Sequence, residues 1–160
     1  MEQPDPDEQK KMNEWFAIQC SNHAWDVASK ENPSEEDFEE MLMAAYAAQY
    51  HWSRVEADIN LARIDMLLTH VHSHMRNGQV ARKHGRKALT FCEEHKVRPW
   101  DLAFSHAEMA YAWAVSKDVP KSKEHLKLAR ETADTISDAD EKNIFYDELE
   151  SIEAEIARVS

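Results

Sequence analysis

The stretch LARIDMLLT (Leu61–Thr69) is echoed 41 residues later by LAFSHAEMA (Leu102–Ala110). Working outward, Leu61-Ala62 recurs as Leu102-Ala103, Thr69 as Ala110, Ala81 as Ser122, His84 as His125 and Ala88 as Ala129. The intervening turn recurs in kind, with Arg76-Asn77 set against Lys117-Asp118. A fixed period of this size is the mark of stacked units, none of which buries its apolar face alone. The expected fold is therefore all-α, an antiparallel helix-hairpin solenoid or bundle of about seven helices.

Composition supports the helical reading. The 160 residues include 2 glycines and 5 prolines, with Ala, Glu, Lys, Leu and Met abundant. Those are strong helix formers, and β-branched residues are sparse. A formal charge of −12 disfavours the phosphate attraction on which nucleic-acid binding relies, and equally an anionic membrane surface. No apolar run reaches the ~20 residues of a membrane span. The acidic, polar segment from Met1 to Lys11 does not read as a signal or targeting peptide. Cys20 and Cys92 lie on apolar helical stretches without metal-ligand spacing, which suggests free thiols in a reducing cytosol.

Seven helices are expected, joined by short connections that make neighbours antiparallel. The first runs from about Asp7 to Lys30 with Pro6 as opener, and the second from a Ser34–Asp37 capping box to about Arg54. The third spans Glu56 to Met75 and ends at Asn77-Gly78, read as a left-handed terminator. The fourth covers Gln79 to Lys96, the fifth starts at Asp101 as N-cap and reaches Lys117, and the sixth runs from Pro120 to Thr135. Ser137 or Asp138 caps the seventh, whose Ile144, Phe145, Leu149, Ile152 and Ile156 form an apolar stripe. The chain thus divides into a diverged first pair (1–55), two repeats (56–96 and 97–136) and a C-terminal capping helix (137–160), all in one domain.

These residues resemble a tetratricopeptide repeat, in which small side chains sit where the two helices of a unit cross. Here the matching positions are Thr69, Ala81, Ala88, Ala110, Ser122 and Ala129. Trp113 supplies the aromatic that follows the first small position by three residues, whereas His72 replaces it in the first repeat. The period departs from the family's usual ~34, and Gly85 stands where the family prefers a bulky apolar residue, suggesting a loosely packed turn. The runs Tyr50–Arg54 and Asn60–Arg63 also look like a bacterial group of such proteins without a settled function.

The resemblance implies a right-handed superhelix and a non-enzymatic scaffold, needing no cofactor, that binds a protein or peptide on a concave face. The positions it assigns to that face are Arg63, His70, Ser73 and His74 from the third helix, and Phe104, Glu108 and Tyr111 from the fifth. A carboxylate clamp of the kind one subgroup uses is not expected, because Met66, His70 and Ala114 occupy matching places.

Two alternatives come from other classes. His70 and His74, four apart on one helical face, suit a shared metal, with His51 as a third ligand of a helical metalloprotein or metal-dependent enzyme. No HExxH or Glu-x-x-His pair accompanies them. Otherwise these histidines are groove or half-core residues, while His106 is expected on the surface beside Asp101 or Glu108. The second alternative is a self-association module, a homodimer formed through apolar Met and aromatic surface. The five tryptophans and the Met41-Leu42-Met43 run otherwise read as packing. Nucleophilic catalysis lacks a motif: Ser105 and His106 point to different helix faces, and no GxSxG, Walker loop or GxGxxG occurs.

Overall fold

The computed structural model describes residues 3–160 and contains seven α-helices and, among the described residues, no strand. They are α1 (Pro6–Ala28), α2 (Glu35–Trp52), α3 (Asp58–His74), α4 (Gly78–Glu94), α5 (Pro99–Val115), α6 (Val119–Ala133) and α7 (Ala139–Val159). Consecutive helices from α1 to α6 pack against one another, α3 also packs on α5, and α7 packs on α5 with little contact to α6. Among the described residues no helix is long and apolar enough to cross a membrane.

Local chemistry explains the helix starts. Asp5 and Glu8 form a reciprocal capping box ahead of α1, with Pro6 as its first residue. Ser34 and Asp37 do the same for α2, so aspartate serves where glutamate is usual. Asp118 and Asp138 cap α6 and α7 through Lys121 N–H and Glu141 N–H.

The 41-residue echo is present in the backbone itself. Arg76 and Lys117 carry φ of 60° and 63° at equivalent turns. The next amide of each turn donates back to the helix, Asn77 N–H to His72 O at 2.8 Å and Asp118 N–H to Trp113 O at 3.0 Å. All six small residues of the echo are buried, and the Ser122 hydroxyl donates to the Ala110 carbonyl at 2.8 Å.

Both glycines depart from the roles expected of them. The left-handed residue after α3 is Arg76, not Asn77 or Gly78; Gly78 opens α4. Its lack of a side chain matters because a Cβ there would lie 2.5 Å from Ser116 Oγ at the end of α5. Gly85 is tightly rather than loosely packed. A Cβ there would meet Met109 Sδ at 2.4 Å and Thr69 Cγ2 at 3.2 Å, so glycine lets α4 approach α3 and α5 together.

Apolar burial forms two groups that meet at α3. Ala17, Ala24, Met41, Ala45, Ala48 and Trp52 pack on one side against Ile64, Leu67, Leu68 and Val71. On the other, Met66 joins Phe104, Ala107, Tyr111, Ala129, Phe145, Leu149 and Ile152. Helices α3 and α5 are buried around most of their circumference, whereas α4 and α6 bury one stripe. The α7 stripe differs from expectation at Ile144, which is exposed because Phe145 turns inward beside it. Packing is likewise uneven among the tryptophans: Trp52 is buried, Trp15 is 57% exposed, and the rest are half-buried. Met41 is in the core, but Met43 is exposed.

Candidate functional site

Helices α3 and α5 lie side by side and are tied by two polar rungs two turns apart. The Arg63 guanidinium donates to both oxygens of Asp101, Nε to Oδ1 at 2.9 Å and Nη2 to Oδ2 at 3.1 Å. His70 Nδ1 meets Glu108 Oε1 at 3.0 Å. Both carboxylates are buried, and a paired, hydrogen-bonded charge is the form in which burial is tolerated. Asp101 therefore does not cap α5 as expected. Arg98 is the N-cap, Pro99 is the first helical residue, and the Asp101 side chain turns across to α3.

Seven positions were expected to be exposed on this face, and the structure separates them. Arg63, His70 and His74 are half-buried. Phe104, Ser73, Glu108 and Tyr111 are buried, the last three at 0%, 1% and 0% exposure. Helix α7 is the physical reason at the C-terminal end of α3. It packs on α5, brings Glu155 Oε2 within 4.0 Å of His74 Nδ1, and Tyr111 is enclosed beside His70 and His74. The capping helix thus occupies that end of the groove.

The other end stays open as a cavity of about 350 Å³. Its floor is Arg63, Met66 and His70 from α3 with Asp101, Phe104 and Glu108 from α5. Its walls are Trp25, Ala28 and Ser29 at the end of α1, Arg98 and Trp100 at the start of α5, and Glu148 of α7. Trp25 and Trp100 flank Phe104 with ring centroids 6.0 and 6.5 Å away. Apolar and aromatic walls around a few fixed polar groups are the usual make-up of a binding pocket. Four of the seven expected residues line it: Arg63, His70, Phe104 and Glu108. Ser73, His74 and Tyr111 do not.

The two groove histidines are electrostatic opposites. Burial lowers His70, but the Glu108 carboxylate, with Glu148 and Glu155 nearby, outweighs it, and the imidazole is raised above its ordinary 6.5. His74 is pushed down to about 3, by burial first and then by the charges of His70, Arg76 and Arg158. Their ring centroids are 4.6 Å apart, but His70 Nδ1 is already committed to Glu108. His51 does not join them: its Nδ1 meets Asn13 Oδ1 at 2.8 Å and its ring stacks on Phe16. Among the described residues no three His, Cys, Asp or Glu side chains gather in a metal-holding group.

A second polar cluster lies between α2, α3 and α4. His84 Nδ1 meets Asp65 Oδ1 at 2.7 Å, His84 stacks on His72, and the Tyr46 hydroxyl reaches Nε2 of both rings. In the next repeat His106 and His125 occupy the places equivalent to Asp65 and His84, with Nδ1 atoms 3.1 Å apart. His106 is buried rather than on the surface, and its ring turns to His125 instead of Asp101 or Glu108. Burial and the neighbouring His125 push it down to about 4. Both cysteines are free, and burial raises the Cys92 thiol to about 11.

Trp25, Arg98, Trp100 and Glu148 were not expected at the site. The weak repeat match over the first 55 residues left α1 without a position, so Trp25 carried no usable signal. Comparison with known protein families, curated proteins and solved structures yields no match to this chain.

Proposed function

We propose that this chain is a non-enzymatic, tetratricopeptide-like scaffold of the reducing cytosol that binds a peptide or protein segment on the α1–α3–α5–α7 face. The aromatic-walled cavity beside the Arg63–Asp101 and His70–Glu108 rungs carries this reading. Its volume suits one large side chain of a partner, and its walls come from four helices whose relative positions the two cores hold. The buried rungs fix the floor, so the site is preformed and binding costs little ordering.

Selection of binders from a random peptide display library, followed by titration of the winners, tests the reading. Trp100→Ala is expected to weaken selected peptides by about tenfold or more, as loss of an aromatic anchor does. Peptides selected by the chain but indifferent to Trp25→Ala, Trp100→Ala and Glu148→Gln would remove the cavity from the proposal.

A second reading is favoured by the N-terminal hairpin. Met12, Trp15 and Phe16 on α1 and Tyr50 on α2 are all exposed, and Phe16 and Tyr50 both contact the His51 ring. An exposed apolar patch of this kind is suited to a second copy of the chain. Sedimentation over a hundredfold range of concentration distinguishes the two. A dimer abolished by Trp15→Glu supports self-association, and a concentration-independent monomer removes it.

A further inference from the structure

We infer that the cavity takes a basic side chain, the guanidinium of an arginine or the ammonium of a lysine presented by a peptide. The inference rests on the peptide-binding reading above and adds the chemistry of the ligand. The cations already in the cavity wall are each matched. Arg63 is held by both oxygens of Asp101, His70 faces Glu108, and Arg98 Nη1 meets Glu141 at 3.0 Å with Asp101 a further 3.6 Å from its Nε.

Glu148 differs. It is exposed at the rim and makes no hydrogen bond or ion pair among the described residues. The cavity therefore has one carboxylate to spare and no cation to spare.

Each class of occupant meets different walls. An anionic side chain would have to draw Arg63 or His70 away from a buried carboxylate, or Arg98 away from Glu141 and Asp101, leaving a carboxylate short of its partner. A neutral apolar side chain fills the space but desolvates Glu148 without compensating it. A basic side chain lays its aliphatic stem against Met66 and Ala28, sets its charge among Trp25, Trp100 and Phe104, and presents it to Glu148. The chain's net charge of −12 steers such a partner inward and repels acidic ones.

The test uses the full chain and five acetyl-Ala-Ala-X-Ala-Ala-amide peptides with X as Arg, Lys, Gln, Leu or Glu, followed through the Trp25 and Trp100 indole N–H resonances. Arg or Lys peptides are expected to bind about tenfold tighter than Gln or Leu. The Glu peptide is expected to be weakest, and added salt to narrow the spread. Glu148→Gln is expected to remove most of the Arg and Lys preference, by weakening those peptides and by relieving the desolvation that penalises Leu, and Glu150→Gln, outside the cavity, to change nothing. Thermal melts of both exposed-site variants confirm that they fold.

If Leu or Glu peptides move the same indoles as strongly as Arg, the charge assignment fails and the binding face stands. If no peptide moves either indole, the binding face fails with it.

Discussion

At Gly85 two effects of opposite sign compete. An alanine in mid-helix gains about 1 kcal/mol of helix propensity over glycine. Its Cβ would press on Met109 Sδ and Cγ and on Thr69 Cγ2 inside a closed interface, and overpacking of this kind costs about 1–3 kcal/mol. Packing wins because Met109 and Thr69 are both buried, so Gly85→Ala is expected to lower stability by about 1 kcal/mol net in urea melts. A stabilised variant would show that Met109 moves aside freely. Arg63→Ala has a different cause. It leaves the buried Asp101 carboxylate with only Arg98 at 3.6 Å, and the expected loss is about 2 kcal/mol, with Arg63→Lys recovering part of it because an ammonium cannot reproduce the two-pronged contact. Neither residue's role was readable from its own neighbourhood in sequence. Gly85 broke a family pattern, and Asp101 sat where an N-cap belongs; what each touches lies on another helix.

Between elements, the α3–α4 and α5–α6 hairpins repeat one design with one exchange: Asp65 faces His84 in the first, and His106 faces His125 in the second. In the second hairpin the neighbouring histidine disfavours a proton on His106. His106 and His125 are both depressed, His106 to about 4, and His74 to about 3. The unfolded chain, titrating near 6.5, then binds protons that the folded chain does not. The stability these groups contribute is whole above about pH 7 and is lost as pH falls from 6.5 toward 4. His70, raised by Glu108, has the opposite sign: its contribution is whole below 6.5 and fades as pH rises through its folded value. Melting temperature is therefore expected to drop on acidification from pH 7 to 4.5, and His106→Gln to flatten the drop. An unchanged acid limb in that variant would move the effect to His72, His74 and His125, which burial also lowers. The repeat register already aligned His84 with His125, so the α4 and α6 members of these pairs were legible; the pairing across each hairpin needed the crossing geometry that only packing sets.

For the molecule as a whole, α7 both completes the core and shortens the groove. Its Phe145, Leu149, Ile152 and Val159 are buried. At roughly 2 kcal/mol each, their burial is worth about 8 kcal/mol, comparable to the whole stability of a typical domain. A chain ending at Asp138 is accordingly expected to lose cooperative unfolding and to bind a hydrophobic dye, and a cooperative melt from it would show that α1–α6 stand alone. The amino-acid sequence by itself determined the helical class and the seven elements. Those features follow from propensity, capping and periodicity, which are local or regular along the chain. Only the tertiary structure decided that Ser73, Glu108 and Tyr111 lie inside, that Trp25 and Trp100 flank Phe104, and that one end of the groove is closed while the other holds a cavity. The physical reason is that α1 and α7 lie outside the repeated register. Their placement depends on which apolar faces of α3 and α5 remain to be covered, and that is a property of the assembled helices, not of any one of them.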